Sequence, residues 1–130
     1  MSREEVFRAS GPTSATSIDV KIGAKQDGTI TAAEATLRYT SGPYADMWAE
    51  LGAMTSFACY DLMNVKTVGL EVVVNRPKVA AYRAPSAPMA AFAVESTIDE
   101  LAQKIGMDSV DFRIKNAASE GTQSSYGPVY

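Results

Sequence analysis

The sequence has 130 residues, of which 46% are hydrophobic and 21% are charged. This length and balance are typical of one folded domain and exclude a disordered chain. The formal net charge of -3 comes from 12 basic and 15 acidic residues. Because no basic run could neutralise a phosphate backbone, nucleic acid is not expected as a partner.

Membrane segments and common metal sites are also excluded. No apolar run approaches the roughly 20 residues of a membrane span, and the segment MSREEVFRAS lacks the apolar core of a signal peptide. We therefore expect a cytoplasmic protein with no membrane partner. One cysteine, Cys59, and no histidine exclude intrachain disulfides, iron–sulfur clusters, the usual zinc sites and a histidine base. Redox chemistry would need a bound cofactor or residues outside this chain.

The first predicted elements are two strands joined by a hairpin. In residues 17–24, SIDVKIGA, apolar and polar residues alternate with the period of a half-buried strand. Asp27-Gly28 supplies residues that tolerate positive φ and predicts the turn. On the return strand the apolar phase switches, which predicts a bulge near Ala32.

A helix and a third strand are predicted next. The segment SGPY, residues 41–44, ends the second strand. Apolar residues then recur at helical spacing, although Gly52 lies among them: Met47, Leu51, Met54 and Ala58. The valine-rich segment 65–74 predicts a third, more deeply buried strand.

Two further helices complete the predicted fold. Ser86 is the predicted cap and Gly106 the end of a helix whose apolar stripe comprises Ala91, Val94, Ile98, Leu101 and Ile105. Asp108 caps a shorter helix in which Val110 and Ile114 share a face. Residues 117–130 are polar and small, which predicts a linker or frayed tail. The expected fold is α+β: one module, residues 1–130, with a small antiparallel sheet and helices packed on one face.

One segment, AYRAPSAPMAAFAVES, combines a lone arginine with the start of the best helix. Arg83 beside a helix N-terminus would suit an anionic ligand, such as a phosphate or an oxygen bound to a metal. The spacing matches neither a Walker motif nor a dinucleotide fingerprint. The residues alone therefore favour a structural interpretation, in which Arg83 lies on the surface or pairs with Glu95 or Asp99.

Other chemistry-bearing residues have simpler interpretations. Nothing in the sequence brings together the carboxylates of Glu34, Asp46 and Glu50, and solvated faces explain them. Trp48 with Tyr44 is more typical of core or interface packing than of ligand stacking.

The segment VAAYRAPSAPMAAFAVESTIDELAQKIGMDSVDFRIKNA resembles the large, molybdopterin-binding subunit of the xanthine dehydrogenase and aldehyde oxidase family. Bacterial members read much like YRAPGAPQAAFAVE, followed by DELA, LGMDP and FRLKNA. The preceding segment SREEVFRASGPTSATSIDVKIGAKQDGTITAAEA is similar to the strand-turn-strand that comes before it in that subunit. The resemblance covers nearly the whole chain and implies part of a larger molybdopterin-binding domain.

The resemblance also implies which residues face the cofactor or substrate. In the family, the arginine loop helps surround a pterin-bound molybdenum centre. By position, the corresponding residues are Tyr82, Arg83, Ala84, Pro85, Ser86 and Ala87. No catalytic residue and no protein ligand to a metal is implied, and the chain alone is expected to bind no cofactor.

Several residues depart from the family pattern and make two of the family's reactions less expected for this chain. Carbon monoxide dehydrogenases have a cysteine where Ala84 stands, so that branch is disfavoured. Xanthine-oxidising members have a phenylalanine at the position of Pro85, and their purine-binding arginine corresponds to Leu51 or a near neighbour. Purine hydroxylation is therefore not expected. Ser86 and Met89 replace the more usual glycine and glutamine.

Two hypotheses follow. In the first, the chain is a fragment of a molybdenum hydroxylase that forms one wall of the site and is inactive alone, because the glutamate base and glycine-rich pterin-binding segments are missing. Its partners would be the remaining molybdopterin-binding segments and iron–sulfur or FAD subunits. In the second, the chain is a non-catalytic binding module that self-associates as a homo-oligomer.

Overall fold

The computed structural model describes all 130 residues and contains four helices and three strands. In chain order the elements are α1 (Arg3–Ala9), β1 (Thr16–Ala24), β2 (Ile30–Gly42), α2 (Trp48–Ser56), β3 (Val65–Val73), α3 (Ala87–Ile105) and α4 (Ser109–Asn116). None of the helices is both long and apolar enough to cross a lipid bilayer.

Strands β1 and β2 form the predicted hairpin. They pair antiparallel, with Ile18 opposite Leu37 and Val20 opposite Ala35. The turn contains Gly28 at φ 84°. Near the turn, Gly23 pairs with Ala32 while Ala24 pairs with Ile30, so β2 has one extra residue there. The predicted bulge near Ala32 is confirmed.

The third strand corrects the sequence prediction in two respects. Strand β3 pairs with β2 in parallel, so the sheet is mixed rather than antiparallel, with strand order β1-β2-β3. The chain crosses from β2 to β3 through α2, and such a crossover permits parallel pairing. The segment was also expected to be deeply buried, yet Leu70, Val72 and Val73 are exposed. They are exposed because β3 lies at an edge and no helix covers the outer face of the sheet.

The core lies between the sheet and two helices, which confirms an α+β fold with helices on one face. Along β2, alternate residues from Ala33 to Tyr39 are buried. Helix α3 buries Ala90, Val94, Ile98 and Ala102. The predicted stripe is therefore right for Val94 and Ile98 but wrong for Ala91, which is exposed. Gly106, at φ 74°, ends the helix as predicted.

Helix α4 packs against α3 through a face different from the predicted one. Asp108 caps the helix as predicted, because its side chain accepts hydrogen bonds from the backbone of the first turn. Val110 and Ile114 do share a face, but that face is exposed, and Phe112 and Asn116 are buried instead. The Asn116 amide donates to the Gly28 carbonyl at 2.9 Å, which fixes the hairpin turn to α4.

Residues 117–130 fold back on themselves rather than extending from the domain. The backbone N–H of Tyr130 donates to Thr122 at 3.1 Å, and that of Ser124 donates to Pro128 at 2.8 Å. The hydroxyl of Tyr130 also donates to the carbonyl of Ala58 at 2.5 Å. This segment therefore has more internal hydrogen bonding than its composition suggested.

Candidate functional site

The segment Tyr82–Ala87, here called the arginine loop, leads directly into α3. After β3 the chain runs beside the end of β2, where the Val74 N–H donates to Gly42 at 2.8 Å and the Val79 N–H donates to Ser41 at 3.1 Å. Val79 is buried and anchors this stretch. The arginine loop is thus held between the end of the central strand and the start of the longest helix.

The backbone of the arginine loop is strained at two positions. Ala84 has φ 50° and Ser86 has φ 71°, and they are the only non-glycine residues with positive φ. A residue with a Cβ atom pays roughly 1–2 kcal/mol to adopt this conformation. Strain of this kind persists only where the surrounding structure enforces it, and it is concentrated at functional sites.

Ser86 does not cap α3 in the predicted way. It occupies the cap position, but in the left-handed conformation its side chain makes no capping hydrogen bond. Its side chain is buried, and Oγ has no hydrogen-bond partner. Since its hydroxyl points into the protein, Ser86 differs from the exposed residues of the same loop.

A buried tyrosine holds the loop backbone in place. The hydroxyl of Tyr39, in the central strand, donates to the carbonyl of Ser86 at 2.9 Å. Its ring lies against Gly52 of α2, where a Cβ atom would approach the tyrosine hydroxyl to 2.6 Å. Gly52, unexpected inside a helix, therefore makes room for this ring. Burial raises the pKa of Tyr39 to about 12, so the hydroxyl remains a donor at physiological pH.

Arg83 lies on the surface without an ion pair. It is exposed, and no carboxylate lies within salt-bridge distance of it. The surface location agrees with the structural interpretation, but the proposed pairing with Glu95 or Asp99 is wrong, because both carboxylates bind Arg113. The guanidinium donors of Arg83 thus remain available to a ligand.

The start of α3 adds to the positive character of this region. Its first turn contains no acidic residue and has no side-chain cap, so the helix dipole is not neutralised. Tyr82 braces this turn, since its hydroxyl accepts from Thr13 at 3.2 Å and contacts the sulfur of Met89 at 3.3 Å. Of the six residues predicted to face a cofactor, Tyr82, Arg83 and Ala84 are exposed, and Pro85 and Ala87 are half-buried.

The structure also shows a polar cluster that the sequence interpretation missed. The Nε atom of Arg113 lies 2.7 Å from Glu95 Oε2, and its Nη1 lies 2.7 Å from Asp99 Oδ1. The hydroxyl of Tyr60 donates to Glu95 at 2.8 Å, and burial together with this hydrogen bond raises the pKa of Tyr60. The available sequence signal was the spacing of Glu95 and Asp99, which lie one helical turn apart and can therefore bind the same cation. The cluster joins α3 to α4.

The remaining carboxylate candidates do not form a site. Glu34 pairs with Lys66 at 3.5 Å, and Asp46 pairs with Lys78 at 2.7 Å. No group of three carboxylate or cysteine side chains could hold a metal ion. Trp48 is buried whereas Tyr44 is exposed, which agrees with packing rather than with a shared stacking site.

Comparisons with a family model and with known protein sequences agree on the family to which this chain is similar. The model of the molybdopterin cofactor-binding domain matches residues 1–117. An aldehyde oxidoreductase of Megalodesulfovibrio gigas is 36% identical over 120 residues, which is 90% of this chain and 13% of that protein. The nicotinate dehydrogenase large molybdopterin subunit of Eubacterium barkeri is 30% identical over 131 residues, covering 98% of this chain and 31% of the subunit.

A solved structure extends the similarity to the fold. The aldehyde oxidoreductase from Desulfovibrio gigas superposes with a TM-score of 0.88 at 34% identity, over 96% of this chain and 14% of the other. The chain therefore spans only a small part of these relatives. Since the family model covers nearly its whole length, the chain belongs to the molybdopterin cofactor-binding domain family.

Proposed function

We propose that this chain is a segment of a molybdenum hydroxylase large subunit, in which the arginine loop forms one wall of the molybdopterin and substrate site. The observation that carries the proposal is the geometry of Arg83. It is an exposed arginine without an ion pair, on a strained loop that is fixed by the Tyr39–Ser86 hydrogen bond. A loop held this way presents its cation in a defined place.

The residues present fit an anionic part of the cofactor. Arg83 supplies charged donors, and the uncapped N-terminus of α3 supplies a second region of positive potential. Phosphate, or an oxygen ligand of the metal, is the chemistry these groups would recognise. When bound, the cofactor supplies the redox chemistry. The arginine loop contributes binding and orientation only.

Catalysis by this chain alone is not proposed. Two surface grooves of the chain are lined by residues outside the arginine loop, and the remaining sides of the proposed site would be supplied by other segments. The remaining pterin-binding segments and iron–sulfur or FAD modules are the proposed partners. The substrate is proposed to be an aldehyde or an N-heterocycle, as the names of the relatives suggest. The cytoplasmic location stays a prediction.

A chimera tests the role of Arg83. The matching segment of the Megalodesulfovibrio gigas aldehyde oxidoreductase would be replaced by this chain, and molybdenum content and aldehyde turnover would be measured. We expect Arg83→Ala in the chimera to lower molybdenum content or turnover by about tenfold, because a charged hydrogen bond is lost. Full retention of both would refute the role.

Arg76 supplies the matched control. It is also an exposed arginine, on the preceding turn, and also lacks an ion pair. Arg76→Ala should leave metal content and turnover unchanged. Equal losses in the two variants would indicate a general charge effect instead of a contact made by the arginine loop.

The alternative function is a self-associating module without catalysis. The observation that favours it is the uncovered edge of β1, next to the exposed side chain of Phe92. The chimera described above separates the two: the first proposal expects Arg83→Ala to lower its molybdenum content or turnover, whereas the alternative expects residue 83 to affect neither.

A further inference from the structure

The free edge of β1 is an uncovered hydrogen-bonding surface. The carbonyl of Ala15 and the N–H of Lys25 both bond to the β2 side of the hairpin. Because successive residues of a strand direct their N–H and C=O groups to alternate edges, those of Ile18, Val20 and Ile22 point away from β2. Strand β1 is terminal in the sheet, so these groups have no strand partner.

This edge lacks most of the devices that protect edges in monomeric proteins; the exception is the pair of exposed charged residues Asp19 and Lys21. Such edges carry an inward-facing charge, a proline or a bulge. In β1 the inward-facing residues are Ile18, Val20 and Ile22, and the bulge lies in β2. The edge is therefore regular and able to accept another strand.

An apolar groove runs along the same edge. It lies between β1 and α3 and is lined by Ile18, Val20, Met89, Phe92 and Ala93, among others. Phe92 of α3 is a large aromatic residue, yet it is 77% exposed. A strand added to β1 would extend the floor of this groove and bring apolar surface against Phe92.

The charged residues of β1 are complementary to those of β1 in a second copy of the chain. With a two-fold axis at Val20, a second copy running antiparallel would place Asp19 opposite Lys21 of that copy, and Ile18 opposite Ile22. On the outer face Lys21 lies beside Glu34, which lies beside Lys66. Asp19 of the second copy would continue this row with alternating signs. Cross-strand pairs of opposite charge stabilise a sheet.

The other edge does not have this self-complementarity. A two-fold axis at Gly69 of β3 would place Lys66 opposite Val72, with no charge pair formed. The inner side of Gly69 is already in contact with Ala49 of α2. Of the two edges, β1 is the one that matches itself.

From these features we propose that two copies of this chain associate through antiparallel pairing of their β1 strands, forming a continuous six-stranded sheet with Phe92 of each copy closing the apolar groove. The interface would contain roughly ten backbone hydrogen bonds. It does not involve the arginine loop, so this proposal and the role of Arg83 can fail independently.

The first test is the mass of the chain in solution, with two pairs of matched variants. At about 100 µM, within the range of moderate dimer affinities, light scattering should give twice the mass of the 13.8 kDa chain. Lys21→Asp should weaken the dimer by at least about tenfold through repulsion by Asp19. Lys66→Asp is the control, because Lys66 faces the same Glu34 from the other edge. Circular dichroism would verify that each variant is folded.

The second pair tests the apolar groove without altering the sheet. Phe92→Glu should give a folded monomer, because Phe92 is exposed within the single chain. Ile114→Glu, on the exposed face of α4, should remain a dimer. A dimer that both pairs of variants leave intact would refute the β1 interface and assign the contact to another surface.

Hydrogen exchange provides a readout at the level of single amides. In the dimer the amides of Val20 and Ile22 should be protected, and Phe92→Glu should remove that protection. The amides of Asp19 and Lys21, which bond to β2, should stay protected in both. A wild-type monomer with rapidly exchanging Val20 would overturn the proposal and leave this edge to another segment of a longer polypeptide.

Discussion

Ser86 is a position where glycine should be more stable than the residue present. The wild-type serine has φ 71°, and its buried Oγ makes no hydrogen bond. Ser86→Gly removes both defects at once. It sacrifices no helix cap, because the serine side chain makes no capping bond. We therefore expect the substitution to stabilise the chain.

The magnitude follows from three terms. Release of the left-handed strain contributes roughly 1–2 kcal/mol, and removal of an unpartnered buried hydroxyl contributes roughly 1–3 kcal/mol. The greater conformational freedom of glycine in the unfolded state reduces this gain in stability by about 0.5–1 kcal/mol. The net expectation is a gain of about 2 kcal/mol. Ser86→Ala removes only the hydroxyl, so it should gain about 1 kcal/mol.

Urea unfolding followed by circular dichroism measures these differences. All three proteins would be compared at one concentration, because association would add to the apparent stability. The midpoint should rise from serine to alanine to glycine, with an unchanged dependence on urea. A Ser86→Gly protein equal to or less stable than wild type would refute the reasoning that the strained backbone and the unpartnered hydroxyl together destabilise the wild-type chain.

Three further predictions concern charged residues. Arg83→Ala should change the free energy of unfolding by less than about 0.5 kcal/mol; a loss above about 2 kcal/mol in urea unfolding would instead indicate a structural ion pair. Arg113→Met should cost about 1–2 kcal/mol by the same assay, because Glu95 loses its charged partner while half-buried; an unchanged midpoint would contradict this. The hydrogen bond from Lys78 lowers the pKa of Asp46, so Lys78→Met should raise that pKa in an NMR titration. Because the folded-state pKa of Asp46 is the lowered one, its stabilisation is fully present above about pH 4 and is lost as the pH falls through the lowered value; this acid-dependent loss should shrink in Lys78→Met.

Local patterns predicted the elements well because their causes lie in adjacent residues. The hairpin, its bulge and the end of α3 at Gly106 depend on strand alternation and on residues that tolerate positive φ. The direction of β3 was wrong, although a signal was present. A helix lies between β2 and β3, and this order is typical of parallel pairing.

The details of the site were less accessible because they depend on contacts across the chain. The sequence placed Arg83 before a helix, but it could not show that Arg113 pairs with Glu95 and Asp99, the two carboxylates considered as partners of Arg83. Nor could it show that Ser86 is turned inward by a left-handed backbone. The one hint of that conformation was that the similar family motif usually has a glycine at the position of Ser86.

The ring of Tyr39 links three segments that are distant in sequence: the central strand, α2 at Gly52 and the backbone of Ser86. This arrangement means that the geometry of the exposed arginine loop depends on a buried residue of the central strand. A methyl group at Gly52 would displace the ring and release the loop from the sheet. Random mutagenesis of the chimera, screened for reduced molybdenum content, should therefore recover substitutions at Gly52, although this residue lies inside a helix outside the arginine loop.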